Sequence, residues 1–189
     1  MRTGAPAGLA GGCLLVLGAV LGLRQQATAQ TSNPTDAQLI KQALAAAPAP
    51  IAKNAAVLAP QADGTMKDLR PGTNGFTCIP DDPQTPGTDP MCMDANGMKW
   101  IQAYMNHTKP AYSAPGIAYM LKGGSDISAN DPYAKPDKNT KFIASPPHYM
   151  IMWPFDPATT GLSTTPKKTG SWIMWSGTPY AHLMVNQVP

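Results

Sequence analysis

The chain has 189 residues, 43% of them hydrophobic and only 13% charged, with 14 Lys and Arg against 11 acidic residues. It has no polybasic run, so the electrostatic footprint of a nucleic-acid or anionic-membrane binder is absent and no nucleic-acid partner is expected. All 11 acidic residues are Asp, and there are 21 prolines, a composition suited to turns and caps because the short Asp side chain bonds nearby backbone amides.

Residues 1–29 read as a secretory signal peptide. Arg2 supplies a positive start, the stretch from Leu9 to Leu23 is apolar apart from its glycines, and Ala27-Thr28-Ala29 offers a small-residue cleavage site. About 15 apolar residues fall short of the ~20 that a spanning helix needs. No stable membrane span is therefore expected after cleavage, and the mature protein is periplasmic or secreted. Removing Arg2 and Arg24 leaves 12 basic residues against 11 acidic ones, a nearly neutral chain of about 160 residues, enough for one domain.

Residues 30–50 form an N-terminal segment holding a short Ala-rich helix. Thr35 and Gln38 make a capping-box pattern at its start, Leu39, Ile40, Ala43 and Leu44 share a face, and Pro48 and Pro50 close it near Ala47. Residues 51–189 are expected as a single α+β domain. Lys53–Ala59 and Gly64–Leu69 flank the turn Ala62-Asp63-Gly64 and read as a hairpin. A second turn over residues 71–75 leads into a strand through Phe76 and Cys78.

Cys78 and Cys92 are the only cysteines beyond the leader. In an exported chain they form one disulfide, and their spacing is not that of a Cys-x-x-Cys redox pair. The Pro- and Asp-rich loop between them ends at Asp94, a helix N-cap. The helix that follows, Ala95–His107, carries Met98, Ile101 and Met105 on one stripe with Trp100 and Tyr104 on the next, and Lys109-Pro110 closes it. Strands are expected at Ile117–Leu121, Pro147–Trp153, Ser171–Trp175 and Tyr180–Val188, with a polar stretch over Ser125–Thr140 and a loop over Pro154–Gly170. These elements lack a βαβ rhythm. The fold class is thus α+β: an antiparallel sheet of several short strands with two main helices, loop-rich, and one disulfide.

The blocks Asn74-Gly75-Phe76-Thr77-Cys78-Ile79-Pro80-Asp81, Thr85-Pro86-Gly87-Thr88-Asp89-Pro90-Met91-Cys92, Gly123-Gly124-Ser125-Asp126 with Asp131-Pro132-Tyr133-Ala134, and Gly177-Thr178-Pro179-Tyr180 with His182-Leu183-Met184 resemble those of an uncharacterised group of exported bacterial proteins. The resemblance implies export and a bacterial source and brings no activity with it. An acidic residue precedes the final histidine in that group, where this chain has Ala181, so a carboxylate–histidine pair is not expected there.

Leu, Ile and Val are scarce in the mature part, which leaves the core to Met and to aromatics such as Trp100, Trp153, Trp172 and Trp175. In His148-Tyr149-Met150-Ile151-Met152, strand alternation puts His148, Met150 and Met152 on one face, and His182 and Met184 share a face of the last strand. Were the two strands neighbours, imidazole and thioether donors would suit copper as Cu(I). Packing explains the same methionines. Alternation also splits Trp172 and Met174 from Ile173 and Trp175, so the Trp153-Pro154-Phe155, Trp172, Trp175 and Tyr180 aromatics form either core or a binding surface.

Asp126, Ser128, Asn130 and Asp131, and Asp94 with Asn96, carry oxygen donors but lack the later bidentate carboxylate of a calcium loop, and turn or cap roles explain them. Ser125 lacks the second glycine of a nucleophile elbow, and a Ser–His–Asp set drawn from Ser125 with His107, His148 or His182 is not specified by spacing. The reading favoured is an exported non-catalytic domain with a binding or structural role. Soft-metal binding through His148, Met150, Met152, His182 and Met184 is the first alternative, and a hydrolase-like enzyme the second.

Overall fold

The computed structural model describes residues 33–153 and 157–187, so the expected signal peptide, Pro154 and Phe155 lie outside the described residues. The first helix, α1 (Asp36–Leu44), starts as the capping box requires: the Thr35 hydroxyl accepts from the Gln38 amide at 3.3 Å, and the Gln38 side chain accepts from the Thr35 amide at 2.7 Å. It stops at Leu44, short of Ala47, and the chain makes a second, one-turn helix, α2 (Ala49–Ala52). Proline explains both events, since it cannot continue a helix yet suits the first turn of a new one, where Pro50 stands.

The hairpin expected around Asp63 forms from β1 (Ala56–Pro60) and β2 (Met66–Arg70). Next come β3 (Thr77–Ile79) and β4 (Met91–Met93), where Cys78 and Cys92 face each other across an antiparallel pair and are joined as a disulfide. The Asp94 carboxylate accepts from the Gly97 amide at 2.7 Å and opens α3 (Ala95–Met105). The remaining strands are β5 (Gly116–Met120), β6 (Gly124–Asp126), β7 (Ile143–Ser145), β8 (His148–Met152), β9 (Ser171–Met174) and β10 (His182–Asn186).

Eight strands make one sheet in the order β2-β1-β3-β4-β5-β8-β10-β9, while β6 and β7 pair separately. All pairings are antiparallel except β1 with β3. The fold is therefore α+β around a mostly antiparallel sheet, with three helices and ten strands among the described residues. The strands are more numerous than expected because β4, which joins the large sheet, and β6 and β7, which pair apart from it, have three residues each and are too short to show an alternation.

The two long helices cover opposite faces. Strand neighbours point to opposite sides, so Cys92 and Met93 mark the two layers. On the Cys92 side, Ala43 and Ala46 pack with Val57 and the disulfide; on the Met93 side, Trp100 packs with Ala118, Met150, Met152, Trp172 and Met184. The expected α3 stripe of Met98, Ile101 and Met105 is not the buried one: Gly97, Trp100 and Ala103 are buried, and Met105 is 54% exposed. The reason is backbone contact. A Cβ added at Gly116 would lie 2.6 Å from the Gly97 nitrogen, so two glycines let α3 approach β5 along the Gly97 side, which turns Trp100 into the sheet.

Candidate soft-metal centre

The register of four strands builds the site. β8 pairs with β5 on one side and β10 on the other, and β10 pairs in turn with β9. Directly opposed residues share a face, so the layer beneath α3 is a lattice of three rows. Gly116, Met152, His182 and Met174 form the first, Ala118, Met150, Met184 and Trp172 the second, and Met120, His148 and Asn186 the third.

All five residues singled out in sequence thus lie on one buried face, with His148, Met150, Met152, His182 and Met184 each no more than 4% exposed. They do not converge on one point. His182 opposes Met152 whereas His148 opposes Asn186, an offset of four residues that spans roughly 13 Å at about 3.3 Å per residue. His182 therefore has a different set of neighbours from the one expected: Met152 on β8 and Met174 on β9, its two cross-strand partners. Met174 was not among the expected donors. Its alternation with Trp172 was visible, but nothing local tied β9 to β10.

In both imidazoles Nδ1 lies beside a backbone carbonyl two residues earlier. His182 Nδ1 lies 2.9 Å from the Tyr180 carbonyl, an acceptor, which assigns the proton to Nδ1 and the lone pair to Nε2. That Nε2 is buried without a hydrogen-bond partner. Trp100 and Trp175 meet the ring edge-to-face at 5.1 and 5.2 Å. Burial brings the His182 pKa down to about 4, and the charge of His148 adds to the effect, so the ring is neutral at pH 7. His148 Nδ1 lies 2.7 Å from the Pro146 carbonyl, and burial lowers its pKa as well.

The aromatics belong to this interior. Trp172, Trp175 and Tyr180 are buried, while Trp153 is 40% exposed. Trp175 does not follow the expected alternation. It lies beyond the end of β9 with φ +53°, a left-handed turn that swings its indole to the Met side, where it stacks on Trp100 at 5.8 Å and Tyr104 at 5.3 Å. Ile173 is left alone on the other face.

The remaining candidates separate from this layer. The disulfide lies on the opposite face, under α1. The Ser125 hydroxyl is buried without a hydrogen-bond partner, so no imidazole is set to take its proton. Ser128 accepts from the amides of Asn130 and Asp131 at 3.2 and 3.0 Å, a turn role. Among the described residues no three His, Cys, Asp or Glu side chains gather into a metal-ligand set, and no helix is long and apolar enough to cross a membrane. The donors around His182 are thioethers. Comparison of the chain with protein-family models, with curated proteins and with solved structures gave no match.

Proposed function

We propose that this chain is an exported, non-catalytic binding domain whose ligand is Cu(I), held by Nε2 of His182 and the thioether sulfurs of Met152 and Met174. The observation that carries the reading is the buried Nε2 lone pair, without a partner, on a residue whose two cross-strand neighbours are both Met. An unsatisfied buried acceptor costs about 1–3 kcal/mol, and thioether with imidazole is the donor set that selects Cu(I) over harder ions. The depressed pKa supports the same reading, because no proton competes for the nitrogen near neutrality. Thioethers also suit an exported protein, where thiolate ligands would be lost to disulfide formation. The flanking Trp100 and Trp175 rings exclude water from the imidazole.

The test is an anaerobic Cu(I) titration of the mature protein against a competing chelator. One ion per chain is expected to bind more tightly than micromolar. Replacing Met152 and Met174 together by Leu, a nearly volume-conserving change, is expected to weaken binding by about 100-fold or more, the scale of about 3 kcal/mol. His148→Gln, two rows away, is expected to bind as the parent does. Affinity weaker than micromolar, or equal affinity in the Met152→Leu/Met174→Leu variant, would overturn the proposal.

A further inference from the structure

We infer that a second binding site, independent of the Cu(I) reading, lies in the cleft walled by Asp126, Asp131, Tyr104 and Trp175, and that it takes a small organic cation, an ammonium or guanidinium group on a short hydrocarbon body. The cleft measures about 320 Å³, the lower end of the range for small-molecule sites. Its charged wall residues are Asp82, Asp126 and Asp131, with no Lys, Arg or His among them. Tyr104, Trp175 and Phe142 add aromatic surface, more than a bare metal ion needs.

The hydrogen-bond inventory of the wall points to a ligand that donates. The Tyr104 hydroxyl donates to the Pro132 carbonyl at 2.9 Å, and the Trp175 indole N–H donates to the Ser128 carbonyl at 3.0 Å. Both aromatic donors are thus used within the protein. Asp82 and Asp131 each accept one backbone amide, from Gln84 and Tyr133, both at 2.9 Å, which leaves the second oxygen of each and the Asp126 carboxylate as acceptors.

Among the described residues, Asp126 is the wall carboxylate with no hydrogen bond to the protein. It sits on β6, and among the described residues the ion pair present is Lys67 with Asp36, on other elements. Burial, with the charge of Asp89 nearby, pushes its pKa up to about 7. A carboxyl without a cation in a cleft costs stability, and such sites are where binding function concentrates. Beside it the Ser125 hydroxyl, also in the wall, is buried without a partner. A bound ammonium supplies the missing charge and donates to the Asp126 carboxylate.

Calorimetric titration of the mature, metal-free protein at pH 7.5 with 1,4-diaminobutane and with n-butylguanidinium tests this, 1-butanol and calcium chloride serving as controls. Both organic cations are expected to bind and 1-butanol is not. Asp126→Asn is expected to weaken the cations about ten-fold or more while its melting temperature stays at or above that of the parent, which separates lost contact from lost fold. Three results would overturn the inference: no cation binding at millimolar concentration, equal binding by Asp126→Asn, or calcium binding more tightly than either organic cation. Retention of Cu(I) affinity by Asp126→Asn is expected, so failure of one site is readable apart from the other.

Discussion

His182 is buried and Asp126 partly buried, and their ionisation gives the stability of the fold opposite slopes with pH. The folded-state pKa of His182 lies near 4, below the ordinary 6.5, so in the acid range the unfolded chain takes up a proton that the folded one refuses. Its stabilising contribution is complete above about pH 6.5 and is lost as pH falls toward 4, by roughly 3 kcal/mol. Asp126 runs the other way: its folded pKa near 7 exceeds the ordinary 3.8, so stability is greatest below 3.8 and declines as pH rises through 7. The groups acting on each belong to the same balance. Asp89, whose pKa burial raises, adds to the Asp126 slope, and His148, whose pKa burial lowers, adds to that of His182. Urea midpoints of the parent are expected to be nearly level between pH 4 and 6.5. Asp126→Asn should steepen the rise with pH and stabilise the protein at pH 7 by a few kcal/mol, with no gain at pH 3.5. An Asp126→Asn variant no more stable than the parent at pH 7 would show that the carboxyl is not buried in this way. Trp175 is the third informative residue, because its left-handed backbone (φ +53°), which costs about 1–2 kcal/mol outside glycine, is offset by two stacking contacts and an indole hydrogen bond.

Among the elements, α3 and the β3–β4 pair carry the most exposed dependencies. The contact of α3 with β5 has no space for a methyl group, since a Cβ at Gly116 would meet the Gly97 nitrogen at 2.6 Å and the Asn96 carbonyl carbon at 2.9 Å, both backbone. Gly116→Ala is therefore expected to cost about 1–3 kcal/mol or more, read as a lower urea midpoint. A midpoint equal to the parent's would contradict the packing of α3 described above. The disulfide closes a loop with a sequence separation of 14, and reduction is expected to lower stability by about 3 kcal/mol. Because Cys78 and Cys92 lie under α1 while His182 lies under α3, the reduced protein should keep the His182 site intact; loss of Cu(I) affinity on reduction, with the fold retained, would place the cysteines in the site instead. The passage from α1 to α2 shows how proline punctuates: Pro48 and Pro50 stop one helix and start another, which a reading that treats proline only as a terminator misses.

At the scale of the whole molecule, two dissimilar half-cores are pressed against one sheet. Beneath α1 the packing is of Ala, Val57 and the disulfide; beneath α3 it is Met, Trp and two buried histidines. The thin side accommodates a close helix and gains from covalent bracing, whereas the thick side draws on aromatic area of the kind that dominates core energetics. Trp100→Ala is expected to cost about 3–5 kcal/mol, at or above the cost expected for reducing the disulfide beneath α1. A urea-unfolding difference below 1 kcal/mol would mean that the thick side is not the main core.

Local chemistry in the chain determined much of this. The capping box at Thr35, the N-cap at Asp94, the hairpin about Asp63 and the Cys78–Cys92 bond each depend on residues close in sequence or on there being no other choice of partner. Alternation likewise placed His148, Met150 and Met152 on one side of a strand. What alternation cannot do is count rungs. The histidines occupy similar settings, His-x-Met, and nothing local says which has a methionine on both sides across the sheet. The tertiary structure decided it through the antiparallel register, which sets Met152 and Met174 on the two sides of His182 and Met120 and Asn186 on the two sides of His148. Strand neighbours are chosen by long-range packing, here by α3 closing on β5 through two glycines and by Trp175 turning back over the layer. The three-residue strands and the cleft around Asp126 came from the same source, because both exist only once distant segments have met.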